Sequence, residues 1–223
     1  MSRDYGSHHL ALARGDLAAG LIRSELRIDG PVSAFDVAAR LGLRVVRDHD
    51  LDVRGMTSTE ASLVLVREEC CEPRVEFACA HEIGHHAVDC RDLSPIDVER
   101  ACDRFAAALL LPREEFAADV QARRFDVPSL ARTWRAASRE MIARRIGEVM
   151  RGAQSAAWVV QSPRWHTAGA AAPSDHEFEA LSTAYVKSRG WSEIRRGRSV
   201  VWAWRTQATP TLRGITVAVT AAE

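Results

Sequence analysis

Residues 76 to 90, EFACAHEIGHHAVDC, place three histidines, two cysteines and two glutamates in a stretch that otherwise reads as helical core. His81, Glu82, His85 and His86 are types that resist burial unless something pairs them. At ~100° per residue, His81 and His85 project from one helix face within ~40° of each other, so both imidazoles can meet a single ion. Glu82 sits beside them, toward the substrate side. This is the HExxH arrangement. A catalytic zinc takes three protein ligands and keeps a fourth position for water, while the glutamate takes the water's proton and passes it to the leaving amine. The third ligand must come from elsewhere, and Glu99, on the next helix, is the natural candidate. Asp103 lies one turn further along the same face, placed to hold a ligand imidazole by its second nitrogen. His86 points ~140° away from His81 and cannot join the same ion, so it reads as a supporting or structural histidine.

Positioning these groups requires two helices and whatever orients them. Upstream, LALARGDLAAGLIRSEL has apolar residues at helical spacing, and SAFDVAARLG opens with a Ser33-to-Asp36 capping box and closes on Gly42, so two short helices are expected. LRVVRD, RGMTSTEA and SLVLVRE are short β-branched runs broken by Asp and Gly, which predicts a small antiparallel sheet. SLVLV is expected at its edge, where Leu63, Val64 and Leu65 would bind an extended peptide as an added strand. In SPIDVERACDRFAAALLLP, Ser94 is the expected N-cap, Pro95 the first helical residue and Pro112 the stop. VPSLARTWRAASREMIARRIGEV predicts two short helices with a break near Ala137 and Ser138. AGAAAPSD then reads as a linker, HEFEALSTAYVKSRG as a helix ended by Gly190, and SVVWAWRTQ and GITVAVTA as strands. The fold class is α+β. Residues 1–125 are expected to form the helical domain with the small sheet, 126–152 a helix-turn-helix-like hairpin, and 153–223 a small α+β C-terminal domain.

A chain of 223 residues can bury a sizeable core as one domain, or as one domain with a small appendage. With 30 basic and 30 acidic side chains, no overall field draws it to nucleic acid or to an anionic membrane, so any DNA contact would have to be local. The Arg-rich ARTWRAASREMIARR is read first as a hairpin that helps grip substrate, with a helix entering a major groove as the alternative. Five cysteines, an odd number including the neighbours Cys70 and Cys71, do not make a disulfide framework. Cys79, Cys90 and Cys102 read as small buried hydrophobes rather than a redox switch. Trp158, Trp165, Trp191, Trp202 and Trp204 are expected to fill the C-terminal core rather than stack on bases. No leader opens the chain, and no run approaches the ~18 apolar residues of a membrane helix, so a cytoplasmic protein without membrane contact is expected.

GPVSAFDVAARLGLRVV, FACAHEIGHHAV and VERACDRFAAALLLP, and more loosely LARTWRAASREMIARRI, follow one another in an order that resembles the ImmA/IrrE family of gluzincin-type metallopeptidases. The resemblance implies a zincin-like fold with His81, His85 and Glu99 on the metal-ligand positions and Glu82 on the catalytic base. Asp103 falls on the orienting position, where many members have asparagine. It implies zinc as the metal, with manganese as the alternative. It also implies a protein substrate, a helix-turn-helix transcriptional repressor, whose cleavage switches on stress-response or mobile-element genes. One branch of the family adds a C-terminal sensory domain of the GAF type, and the chain departs from that pattern because residues 153–223 are short for one. Two functions therefore stand side by side: an endopeptidase that removes a repressor, and a DNA-binding or sensory regulator whose metal site is not catalytic.

Overall fold

The structure, a computed structural model, describes residues 3–69, 71–123 and 126–150, together with the backbone of five strands between residues 153 and 222. The chain divides into two compact units, Met1–Pro112 with Trp134–Ala137, and Arg113–Thr133 with Ser138–Glu223.

The first unit runs α1 (Arg3–Glu25), α2 (Ala34–Arg40), β1 (Arg44–Asp48), β2 (Gly55–Ser58), β3 (Leu63–Arg67), α3 (Glu72–Ala87) and α4 (Pro95–Leu110). In place of a short leading helix, α1 is one helix of 23 residues. Ala11, Gly15, Ala18, Ala19 and Ile22 recur at helical spacing, and this buried seam gives α1 a long surface against α4. Gly15 is the point of closest approach: a Cβ there would fall 2.4 Å from the carbonyl oxygen of Ala101 and 2.9 Å from Cβ of Arg104. On the other side α4 packs on α3, where Gly84 leaves only 3.1 Å between its would-be Cβ and Cα of Cys102. Phe105 and Leu109 of α4 and Cys79 and Ile83 of α3 are fully buried. Helix α4 starts as expected, Ser94 accepting from the Asp97 N–H with Pro95 in the first turn.

The three-stranded sheet has the order β1-β3-β2, with β3 antiparallel to β2 and parallel to β1. The expected antiparallel sheet is therefore a mixed one. Strand β3 carries the buried Val64 and Val66, while β1 and β2 have no buried residue, so the most apolar strand takes the centre. The link between β1 and β2 carries the chain across the place that β3 then fills. Residues Leu63, Val64 and Leu65 pair on both sides, with Arg44 to Val46 and with Met56 to Ser58, and so are not an edge. Among the described residues, the open edge beside α3 is β2.

Helix α2 ends as expected, with Gly42 at φ +74° and the Leu43 N–H bonded to the Ala38 carbonyl at 2.9 Å. Its N-terminus holds a difference. The sequence pairs Ser33 with Asp36, yet the carboxylate bonded at this end is Glu76 of α3, which accepts from the Ala34 N–H at 2.7 Å and from Ser33 Oγ at 2.8 Å. Glu76 is 7% exposed. Replacing it with alanine strands both donors, and a loss of about 2–4 kcal/mol in urea unfolding is expected. Burial foremost raises the Glu76 carboxyl above the ordinary glutamate range, against the hydrogen bonds of Ser33 and Ala34. The folded chain thus binds a proton that the unfolded chain has released. Stability should decline as pH climbs from the ordinary glutamate value through the raised one, and Glu76→Gln should lack that decline.

The second unit contains α5 (Arg113–Ala122), α6 (Val127–Thr133), α7 (Arg139–Val149) and strands β4 (Ala153–Val159), β5 (Arg164–Ala168), β6 (Trp191–Arg196), β7 (Ser199–Arg205) and β8 (Ile215–Ala222). The expected break falls between α6 and α7, where Ser138 caps α7 by accepting from the Met141 N–H at 3.1 Å. The five strands form an antiparallel sheet in the order β5-β4-β8-β7-β6. Its two expected strands are β7 and β8. The linker in AGAAAPSD, the helix expected to end at Gly190 and the side chains of the five C-terminal tryptophans lie outside the described residues. Among the described residues no helix is long and apolar enough to cross a membrane. With seven helices and two small sheets described, the fold is α+β.

Candidate metal centre

Helix α3 begins after Cys71 with Pro73 in its first turn, and buries Val75, Cys79 and Ile83 on one side. That register turns His81 and His85 toward α4, their rings 5.1 Å apart and nearly edge to face. From α4, Glu99 reaches both: its Oε2 lies 3.2 Å from His81 Nε2 and its Oε1 3.6 Å from His85 Nε2. One ligand atom from each of the three residues lies within 4.8 Å of the other two. A tetrahedral zinc with bonds of ~2.0–2.2 Å needs its donors ~3.3–3.6 Å apart, so this set has the right chemistry and would draw in around such an ion. Asp103 Oδ1 stands 2.9 Å from His81 Nδ1, the other ring nitrogen. Accepting that N–H leaves the Nε2 lone pair directed at the cluster.

The relative placement of α3 and α4 depends on the link between them. Arg14 of α1 donates to the carbonyls of Asp89 (2.8 Å) and Arg91, clamping the turn that separates the two helices. Sequence reading missed this arginine, because its partners are backbone atoms 75 and 77 residues away.

Charge and burial act differently on the three site groups. Burial draws the His81 imidazole down, but Asp103, Glu82 and Glu99 together outweigh it and hold its pKa above the ordinary histidine value. His85 is lowered, first by burial and then by the neighbouring His81, which favours the neutral imidazole that a metal ligand must be. Glu82, 7% exposed, is raised mainly by burial and also by Glu99, against the pull of His81. A carboxylate with a raised proton affinity suits a proton acceptor.

Glu82 lies on the side of α3 that faces β2. A Cβ built on Gly55 would fall 2.6 Å from Glu82 Oε1. His86 does not join His81, His85 and Glu99; its Nε2 bonds Thr57 Oγ1 on the same strand. The Thr57 hydroxyl gives its one proton to the Leu63 carbonyl at 3.0 Å, so His86 must be the donor in that pair. Of the residues expected to bind peptide, Val64 is fully buried beneath α3, and strand alternation turns Leu63 and Leu65 to the opposite face. Gly55 and Thr57 escaped sequence reading because RGMT signals only a strand interrupted by glycine.

The four described cysteines are free thiols. Burial pushes the Cys79 thiol up to about 12 and raises Cys102 as well, which removes thiolate character from both.

The position of Asp103 carries its own expectation. Asp103→Ala should weaken zinc binding ~10–100-fold in a chelator competition titration, as loss of such partners generally does. Asp103→Asn keeps an acceptor oxygen and should be milder.

A model of the Peptidase_M78 family, described as the IrrE N-terminal-like domain, matches residues 38–147, which contain α3, α4 and every residue of the cluster. Among solved structures, a Mycobacterium tuberculosis transcriptional regulator superposes with a TM-score of 0.70 at 16% sequence identity, over 93% of this chain and 75% of that one. At that identity the likeness shows the fold. No curated protein matches the chain.

Proposed function

We propose that the chain, whose residues 38–147 match the Peptidase_M78 family model of IrrE N-terminal-like domains, is a zinc-dependent endopeptidase. The substrate we propose is a helix-turn-helix transcriptional repressor, whose cleavage induces stress-response or mobile-element genes. One observation carries the reading: two imidazole nitrogens and one carboxylate converge from α3 and α4, with a buried glutamate beside them.

His81, His85 and Glu99 would hold the metal, with manganese as the alternative ion. Zinc bound there would supply Lewis acidity to the scissile carbonyl and to an attacking water. Glu82 accepts the proton that this water loses and returns it to the amine as the peptide bond breaks. Asp103 holds His81 in the tautomer that presents Nε2. Along β2, Arg54 accepts from the Arg67 N–H, so by alternation the N–H and C=O groups of Gly55 and Thr57 face the open edge. An extended peptide can add to this edge as a fourth strand. Free thiols accord with a cytoplasmic site of action.

The solved neighbour is described as a transcriptional regulator, which accords with regulation either by cleavage or by direct DNA contact. Incubating the zinc-loaded chain with repressors encoded near its gene separates the two. Cleavage that stops with chelator and returns with zinc supports the peptidase, whereas an intact repressor with unchanged regulation supports the DNA-binding alternative.

A further inference from the structure

We infer that Gly55 and Thr57 are positioning residues on the edge strand β2, Gly55 by leaving the space in which the Glu82 carboxylate stands and Thr57 by setting the strand's register on α3 through His86; this rests on the peptidase reading above. Gly55 is not required for its backbone conformation, since only Gly30 and Gly42 have positive φ among the described glycines. It is required for space. A Cβ at this position would fall 2.6 Å from Oε1, 2.8 Å from Cγ and 3.0 Å from Cδ of Glu82, so the carboxyl group lies across the bare Cα. Two residues further along the same face, Thr57 accepts from His86 Nε2.

The spacings match. Two residues along a strand advance ~6.8 Å and four along a helix ~6.0 Å, so Gly55 stands over Glu82 as Thr57 stands over His86. Thr57 in turn donates to the Leu63 carbonyl, tying this latch to the central strand. The edge that would receive a peptide is thus keyed to the catalytic helix at two points, one a hydrogen bond and the other a contact that admits a side chain only if Glu82 moves. A methyl group on Gly55 meets atoms of the Glu82 side chain, from Cγ to Oε1, and no backbone within that distance, so Gly55→Ala should fold and displace Glu82. Loss of the Thr57 hydroxyl should instead let the strand shift while Glu82 keeps its freedom.

Titration calorimetry on the zinc-loaded full chain tests this with two probes. Acetohydroxamate reaches only the metal and Glu82, while a tetrapeptide hydroxamate also lies along β2. All variants should hold one zinc per chain and unfold in a single cooperative transition. Gly55→Ala should weaken both probes ~10-fold or more, since both lose a charged hydrogen-bond partner. Thr57→Val should weaken the peptide probe ~10-fold and acetohydroxamate by less than ~2-fold, with Thr57→Ser restoring wild-type binding. A wild type that binds both probes while Gly55→Ala binds them equally well overturns the inference on Glu82. Equal binding of the peptide probe by Thr57→Val overturns the latch. A zinc-loaded wild type that binds neither probe overturns the peptidase reading itself.

Discussion

Alanine in place of His85 is expected to strip zinc from the purified chain. Three protein groups converge on one point, and an open catalytic site has no fourth to compensate. Removing one leaves two donors, a loss that should far exceed the ~10–100-fold expected of an outer partner such as Asp103. Glu99→Ala should be equally severe, because its two oxygens face both histidines, whereas Asp103 touches only His81 Nδ1. The same loss should appear as stability: a ligand at ~100 times its Kd adds ~2.7 kcal/mol to the folded state, and His85→Ala should gain nothing from added zinc in a melt. Elemental analysis after dialysis gives the direct answer. Full zinc occupancy in His85→Ala places the metal elsewhere.

Glu82→Gln should leave zinc and fold in place and abolish most turnover. Glutamine matches glutamate in size, so it fits the space above Gly55, and its amide can still bond a water. It cannot take a proton. General acid–base catalysis typically contributes ~10²–10⁴-fold, and a fall of that order in kcat with KM little changed is expected. A parallel rise in KM would point instead to a role in holding substrate.

The parts of this site set by short-range geometry were legible in the sequence. One helical turn separates His81 from His85 and Glu99 from Asp103, and the caps Ser94 and Pro95 mark the start of the second helix. Periodicity therefore paired the groups within each helix, while the resemblance to the ImmA/IrrE family and the need for a third ligand pointed to Glu99 on the next helix. What was not legible depends on partners far along the chain. The β1-β3 pairing arises because an apolar strand claims the centre of the sheet, a competition among three strands that none of them encodes alone. The length of α1 follows from a seam of small residues that matters only once α4 lies against it. Gly55, Arg14 and Glu76 look ordinary in sequence, and each acquires its role from a contact with a distant element.

Hydrolysis at this centre is read by mass spectrometry of a repressor incubated with zinc-loaded wild type and with Glu82→Gln. The expected result is a pair of fragments from one cut with wild type, summing to the repressor plus one water, and intact repressor with Glu82→Gln at equal zinc content. A repressor left intact by wild type, yet relieved from its promoter equally by wild type and Glu82→Gln, would contradict it.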